Sequence, residues 1–365
     1  MKKYDERETL FSRVFLDKDS EEYKAFYQLH PELQKRDDMV RKACFRDNYK
    51  ASDTFKQLIM PVIKHNKYHI KSIHEMAENY PVNRERKIVP ADFVNNIKEI
   101  TKYYGATDVG VAKLTDYSYY DYFGGLSDEL GIENYGEKIK KQYPYAIVFT
   151  VLMDKTLMNR GPHYEELLAT EEGYLRVAHI GARLAMYIKD LGYKAQAVNS
   201  EFYLGPLVPL AYDAGLGQIG MTNHLVTKKY GNNVRLGAVY TTLELPVDKP
   251  IDFGLTEFCK KCALCLMNCP SNAIKHQPRM VNGRQFYQFD ENNCFEMWTK
   301  CGTDCGTCIQ SCPFTQGVDL ELVEKMKDDP DLMDEIIQDH YRKYGRRPYT
   351  KKELDIVKLE KDKND

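Results

Sequence analysis

Four cysteines fall within the eleven positions that open "CKKCALCLMNCP", residues 259–270, and a proline follows the last. The spacing is Cys259-x2-Cys262-x2-Cys265-x3-Cys269-Pro270. Zinc sites use Cys-x2-Cys pairs separated by a longer loop. Three cysteines two residues apart instead wrap the chain around one cubane while the fourth points away. In two-cluster ferredoxins that fourth cysteine ligates the neighbouring cluster. The spacing therefore predicts a second motif, and "CGTDCGTCIQSCPF" supplies it as Cys305-x2-Cys308-x3-Cys312-Pro313. Cross-ligation gives one 4Fe–4S cluster to Cys259, Cys262, Cys265 and Cys312. It gives the other to Cys269, Cys305, Cys308 and one more cysteine, for which Cys294 and Cys301 are both candidates.

Nine of the ten cysteines lie between Cys259 and Cys312. The tenth, Cys44, reads as a small, partly buried hydrophobe. The N-terminal "MKKYDERETLF" has neither an apolar signal core nor a twin arginine, so the expected address is the cytoplasm, where thiols stay reduced. No apolar run approaches the ~18 residues that a membrane span needs. With Lys+Arg 52 against Asp+Glu 54, the net charge of -2 gives no global bias toward nucleic acid or membrane.

Residues 1–90 carry charged and apolar positions at helical spacing and no chemical motif. They read as a helical region that covers something. From 91 to 250 helices and strands alternate. Asp92 is placed to cap a helix ending near Tyr104, "DVGVAKL" and "YAIVFTVLM" read as strands, "TEEGYLRVAHIGARLAMYIKDLG" as a helix, and "YKAQAV" and "VRLGAVYTTLEL" as further strands. This indicates an α/β core. The cysteine domain occupies 251–320 and a charged helical tail 321–365. Two adjacent clusters make a wire, and a wire needs an acceptor, so the residues before it are the place for a redox partner cofactor.

"AYDAGLGQIGMTNHL" contains Gly215-x-Gly217-x-x-Gly220, which matches the dinucleotide fingerprint. That fingerprint needs a strand before it and an acid roughly twenty residues on, and neither is present. The glycines fit backbone lying flat against a large planar ligand, or a simple tight turn.

At the segments "YGNNVRLGAVYTTLELPVDKPIDFGLTEFCKKCALCLMNCPSNAI" and "NCFEMWTKCGTDCGTCIQSCPF" the chain resembles the corrinoid-dependent reductive dehalogenases. "GATDVGVAKL" and "AGLGQIG" are shared with that family and with its relative, the epoxyqueuosine reductase of tRNA modification. The resemblance covers about residues 91–320. It implies an α+β protein in which a nitroreductase-like core holds cobalamin with its lower base detached and two 4Fe–4S clusters feed it. It also implies that Cys294, followed by an aromatic residue and then Trp298, completes the second cluster, leaving Cys301 spare. Tyr174 matches the family's tyrosine proton donor, Arg235 falls where a cationic helper would stabilise the phenolate, and Asn199 matches a pocket asparagine. The implied partners are a small-molecule substrate and an external electron donor such as ferredoxin or flavodoxin.

The chain also departs from the family. Met221 stands where dehalogenases carry an arginine, and the twin-arginine export signal is missing. Aligned on Gly215, Glu201 takes the position of the tRNA enzyme's acidic donor, but Leu207 and Val208 replace its Glu-Arg pair. The expected activity is reductive cleavage of a carbon–halogen or similar carbon–heteroatom bond, with Tyr174 or Glu201 giving the proton. An epoxyqueuosine reductase, or a non-catalytic electron-transfer or corrinoid protein, is the alternative.

Overall fold

The computed structural model describes residues 3–41, 49–124 and 134–359; Cys44 lies outside them. The N-terminal region is helical: α1 (Leu10–Val14), α2 (Glu21–Leu29), α3 (Pro31–Arg41), α4 (Asp53–Leu58) and α5 (Pro61–Asn79). Thr9, Ser20 and Ser52 cap α1, α2 and α4 through their side-chain oxygens. Proline opens α5, where its missing N–H costs nothing.

The core follows as α6 (Val94–Tyr103), β1 (Asp108–Lys113), β2 (Tyr145–Leu152), α7 (Lys155–Met158), α8 (Tyr164–Asp190), β3 (Ala195–Val198), α9 (Leu207–Asp213), β4 (Gln218–Ile219), β5 (Leu225–Val226) and β6 (Val234–Thr241). Asp92 does not cap α6. It lies inside a 3-10 turn, Ala91–Phe93, that leads into the helix with no side-chain cap. α8 begins at Tyr164, six residues before the apolar periodicity becomes clear at Thr170.

The main sheet runs β1-β2-β6-β3, antiparallel at every pairing. Alternation of helix and strand suggested an α/β core, but alternation does not fix strand direction; with antiparallel strands the architecture is α+β. β2 is buried along almost its whole length because both faces are covered. Its odd-numbered residues Ile147, Phe149 and Val151 pack with Val177, Ile180 and Leu184 of α8 and Ile97 of α6. Its even-numbered Ala146 and Val148 pack with Leu210 and Ala211 of α9. The central position of β6 sets Arg235 opposite Val151, at the α8 side of the sheet.

The cysteine segment forms α10 (Leu255–Cys262), α11 (Leu264–Met267), a hairpin of β7 (Ile274–Val281) and β8 (Arg284–Phe289), then α12 (Glu291–Cys301), α13 (Thr307–Gln310) and α14 (Pro313–Gln316). The tail adds α15 (Leu320–Lys325) and α16 (Pro330–Tyr344), whose Val323, Met333 and Ile336 pack on Phe258 and Phe314. Among the described residues no helix is long and apolar enough to cross a membrane.

The N-terminal helices cover the cysteine domain. Phe11 of α1 meets Phe295 edge-on at 5.6 Å and Trp298 at 5.9 Å. Behind them Arg13 bonds Asp37 of α3 at 2.8 Å and Glu291 of α12 at 2.9 Å, and Asn292 donates to Asp37 at 2.9 Å. The Arg13 and Asp37 side chains are 3% and 0% exposed. Removing one partner of such a buried pair strands the other charge, so Arg13→Met is expected to cost about 3–5 kcal/mol. The midpoint of urea unfolding measures this, and an unchanged midpoint would show that the pair carries no net stability.

Candidate active site and cluster ligands

The first cysteine set rings a small hollow. α10 carries Cys259 and Cys262, and its last turn breaks at Ala263 in the left-handed region (φ 46), which lets α11 bring Cys265 back to the same point. Cys312 arrives from the start of α14. These four line one hollow with Gly220, Met221, Phe258 and Phe314. Burial pushes the thiols up, Cys262 to about 12, and Cys265 well above its usual value. A thiolate in so apolar a place needs a bound cation, which iron supplies. The N–H groups of Phe314, Thr315 and Asn232 already point at Cys312.

The second set, Cys269, Cys294, Cys305 and Cys308, lines a separate and larger cavity of about 820 Å³. Burial pushes Cys294 up to about 12. Burial also raises Cys269, but the Ser271 hydroxyl at 3.4 Å and the Ala273 N–H at 3.3 Å outweigh it and hold this thiol below its usual value. Cys301, in the last turn of α12, lines neither hollow. Among the described residues no three His, Cys, Asp or Glu side chains converge on a single-ion site.

The same large cavity reaches Tyr174 and Arg235. Glu166, Thr170 and Tyr174 recur every four residues along α8 and so share one face. Arg235 reaches across from β6: its Nη2 donates to Thr170 Oγ1 at 2.7 Å, and its guanidinium carbon lies 4.7 Å from the Tyr174 ring centre. The Thr170 hydroxyl donates onward to Glu166 Oε1 at 3.3 Å. Gly173 makes room, since a Cβ there would stand 2.8 Å from Arg235 Cγ. Arg235 pulls the Tyr174 phenol down, but burial and the carboxylates of Asp304, Glu171 and Glu166 together outweigh it, so the phenol keeps its proton. Burial, reinforced by Asp304, drives Glu166 well above the usual carboxylate range. His224 borders the cavity, and burial and then Arg235 push it down to about 4, leaving a neutral imidazole.

Glu201 also lines the cavity, beside Ser200 and Tyr203. Asn199 does not. It is buried behind the wall, where its Oδ1 accepts the Glu201 N–H at 3.0 Å and its amide lies 3.4 Å from His74 Nδ1. The expected pocket asparagine is thus a turn residue that sets the position of Glu201. The glycines need a similar correction. A Cβ at Gly215 would stand 2.5 Å from the Lys249 carbonyl oxygen, and one at Gly217 2.3 Å from that of Val226. These two glycines admit the chain's own backbone, not a planar ligand, and neither lines the large cavity. Gly220 lines the first cysteine hollow instead, and a Cβ there would crowd Val226 at 2.7 Å.

Sequence reasoning passed over Glu166, Thr170, Tyr203, His224 and Asp304. The available signal was the polar spacing of Glu166, Thr170 and Tyr174 on a helix otherwise rich in apolar residues.

A mixed helix-and-sheet core opening onto two cysteine sets has the arrangement of an iron–sulfur class of protein. Residues 258–316 match the 4Fe-4S dicluster domain. The chain is 37% identical over 198 residues to tetrachloroethene reductive dehalogenase of Sulfurospirillum multivorans, covering 52% of this chain and 38% of that one. It is 33% identical over 131 residues to epoxyqueuosine reductase of Lactococcus garvieae, covering 34% of this chain and 36% of the relative. The chain therefore spans little more than a third of the length of either relative. The structure of catabolic reductive dehalogenase NpRdhA in complex with 3-bromo-4-hydroxybenzoic acid superposes with a TM-score of 0.75 at 20% identity, covering 95% of this chain and 47% of that one. The resemblance read from the sequence is thus found again in sequence and in fold.

Proposed function

We propose that the chain is a cytosolic corrinoid- and iron–sulfur-dependent reductase that cleaves a carbon–halogen bond, or a similar carbon–heteroatom bond, in a small molecule. The observation that carries this reading is that one cavity joins the second cysteine set to Tyr174 and Arg235. A volume of about 820 Å³ is at the upper end for a cofactor site and suits a large tetrapyrrole in a core of the nitroreductase-like kind. Thr222, on the turn between β4 and β5, lines both this cavity and the first cysteine hollow, and His224 lines this cavity; these residues would hold the corrinoid. When bound, that group supplies low-potential cobalt for reduction of the carbon–halogen bond.

The chain's own residues do the rest. The cysteines hold two 4Fe–4S clusters that carry electrons inward from an external donor such as ferredoxin or flavodoxin. Reduction of R–X takes two electrons and one proton to give R–H and a halide ion. Tyr174 Oη gives the proton, and Arg235, fixed by Thr170, stands where the resulting phenolate needs a cation.

Purified protein reconstituted with iron, sulfide and cobalamin is expected to retain about one cobalt and two 4Fe–4S clusters per chain after gel filtration. A cluster-replete protein that takes up no cobalt would overturn the reading. The position of Glu201 in the cavity wall gives the tRNA reading its one structural support. Restoration of queuosine in a deficient strain would establish that reading instead.

A further inference from the structure

We infer that the basic strip at residues 342–352 is the docking surface for an electron-carrying protein with an acidic face, so that electrons enter at the second cysteine set; this deepens the reductase reading and rests on its clusters. The strip holds six cations in eleven residues, Arg342, Lys343, Arg346, Arg347, Lys351 and Lys352, and no carboxylate. The chain as a whole is nearly balanced, with Lys+Arg 52 against Asp+Glu 54. Arg342 and Lys343 have a local reason to be there. They suit the C-terminal turn of α16 and share Asp339 at 3.5 and 2.6 Å. The other four lie past the end of that helix, and among the described residues none of them is paired with a carboxylate.

The strip is held in place over the cysteine segment. Asn268, next to Cys269, donates its amide to the Arg346 carbonyl at 3.0 Å. Arg347 Nη1 donates to Oε1 of Gln310, two residues past Cys308, at 2.6 Å. From the core, Arg160, paired with the buried Glu165 at 2.6 Å, donates to the Thr350 and Lys351 carbonyls at 2.7 and 2.9 Å. Apart from Arg347, these bonds use backbone carbonyls, so the Arg346, Lys351 and Lys352 side chains stay exposed. Fixing like charges side by side is unfavourable until a partner brings the opposite sign. Met267, beside Asn268, and Tyr344 and Tyr349 of the strip are also exposed. Met, Tyr and Arg are the residues in which protein interfaces are enriched.

Position selects the partner. The strip touches the segments that carry Cys269 and Cys308, both of the second set, and none of it lines the large cavity. It therefore does not meet the cavity's ligand. A nucleic acid or an anionic membrane would use the charge but has no electron to deliver at a cysteine set. An acidic electron carrier uses both. In each encounter one electron leaves the carrier's reduced centre and reduces one 4Fe–4S cluster; no bond forms or breaks and no proton moves.

The test uses the iron-replete protein with two acidic probes, a flavodoxin and a two-cluster ferredoxin, and reads binding by calorimetry and cluster reduction by stopped-flow absorbance. At least one probe is expected to bind, at least about tenfold more weakly in about 0.5 M salt than in dilute buffer. Arg346→Glu/Lys351→Glu/Lys352→Glu is expected to weaken binding at least about tenfold and to slow cluster reduction by the probe in proportion. Its iron content, and the reduction of its clusters by dithionite, are expected to match the parent. Lys352→Glu alone is expected to show about threefold weaker binding, which reads the charge even if the triple variant folds poorly. Lys113→Glu/Lys138→Glu/Lys140→Glu, which reverses three exposed lysines near the β1 edge of the sheet, is expected to bind as the parent does. Failure of both probes to bind the parent, parent-like binding by the strip variants, or an equal loss in the β1-edge variant would overturn the inference. Strip-dependent binding of tRNA or of phosphatidylserine vesicles, with neither probe bound, would overturn it too. Strip-dependent probe binding and cluster reduction in a protein that takes up no cobalt would uphold the inference and overturn the corrinoid reading. Cobalt uptake and halide release with reduced viologen, with neither probe bound, would do the reverse.

Discussion

Replacing Tyr174 by phenylalanine is expected to lower turnover by about 10²–10⁴-fold, the range that a positioned general acid contributes. The phenol is the proton-bearing group that the structure sets against Arg235, and burial with three neighbouring carboxylates keeps that proton in place. The substitution removes one oxygen and leaves the ring, so the packing of α8 and the stacking of Arg235 survive. Cobalt and iron contents are therefore expected to match the parent protein, and only the rate of halide release in steady-state kinetics should fall. If Tyr174→Phe turned over within a few-fold of the parent, the donor would have to be sought among the carboxylic acids of the wall, first at Glu201.

Cys308→Ser is expected to lose roughly half of the bound iron, whereas Cys301→Ser is expected to keep all of it. The spacing of the second motif makes Cys308 a ligand but leaves Cys294 and Cys301 both open. Cys294 and Cys308 face the large cavity with Cys269 and Cys305, while Cys301 lines neither hollow. Iron analysis together with electron paramagnetic resonance of the reduced protein reads the result directly. The reverse pattern, iron lost from Cys301→Ser and retained in Cys294→Ser, would move the fourth ligand of the second cluster to Cys301.

The grouping of the cysteines was legible because it is nearly local: three of one set lie within seven positions, Cys259 to Cys265, and the crossed fourth follows from the motif's own geometry. The strands of the core were legible for a different reason. β2 is covered on both faces, so it reads as an apolar and β-branched run with Thr150 as its one polar aliphatic residue. Strand direction was not legible, because it depends on connections that apolar patterning does not encode. The β7–β8 hairpin was missed although Asn282-Gly283 is a strong turn signal, and both residues do take positive φ, 49° and 78°. β7 is mostly exposed and includes Pro278, and β8 is mostly half-buried, so neither shows the apolar alternation that marks a strand.

The glycine triplet misled for a physical reason. A glycine reports that something comes close, not what comes close, and at Gly215 and Gly217 it is a carbonyl of the same chain. Tyr174 and Arg235 were each legible as single residues. Their contact was not, because it is made only when α8 lies against β6.

α8 runs unbroken for 27 residues, a rod of about 40 Å. Near its start Glu166 presses on Gly306, whose positive φ of 61° and missing side chain let the loop between Cys305 and Cys308 sit flush against the helix. Two turns on, the same rod carries Tyr174, and its far half is clamped in the sheet core by Ile180, Leu184 and Ile188. A ruler held at one end and in the middle transmits displacement instead of absorbing it. The spacing between the cysteine layer and the Tyr174 phenol is thereby set by a single piece of secondary structure, so any bulk introduced at Gly306 registers at the phenol without touching it.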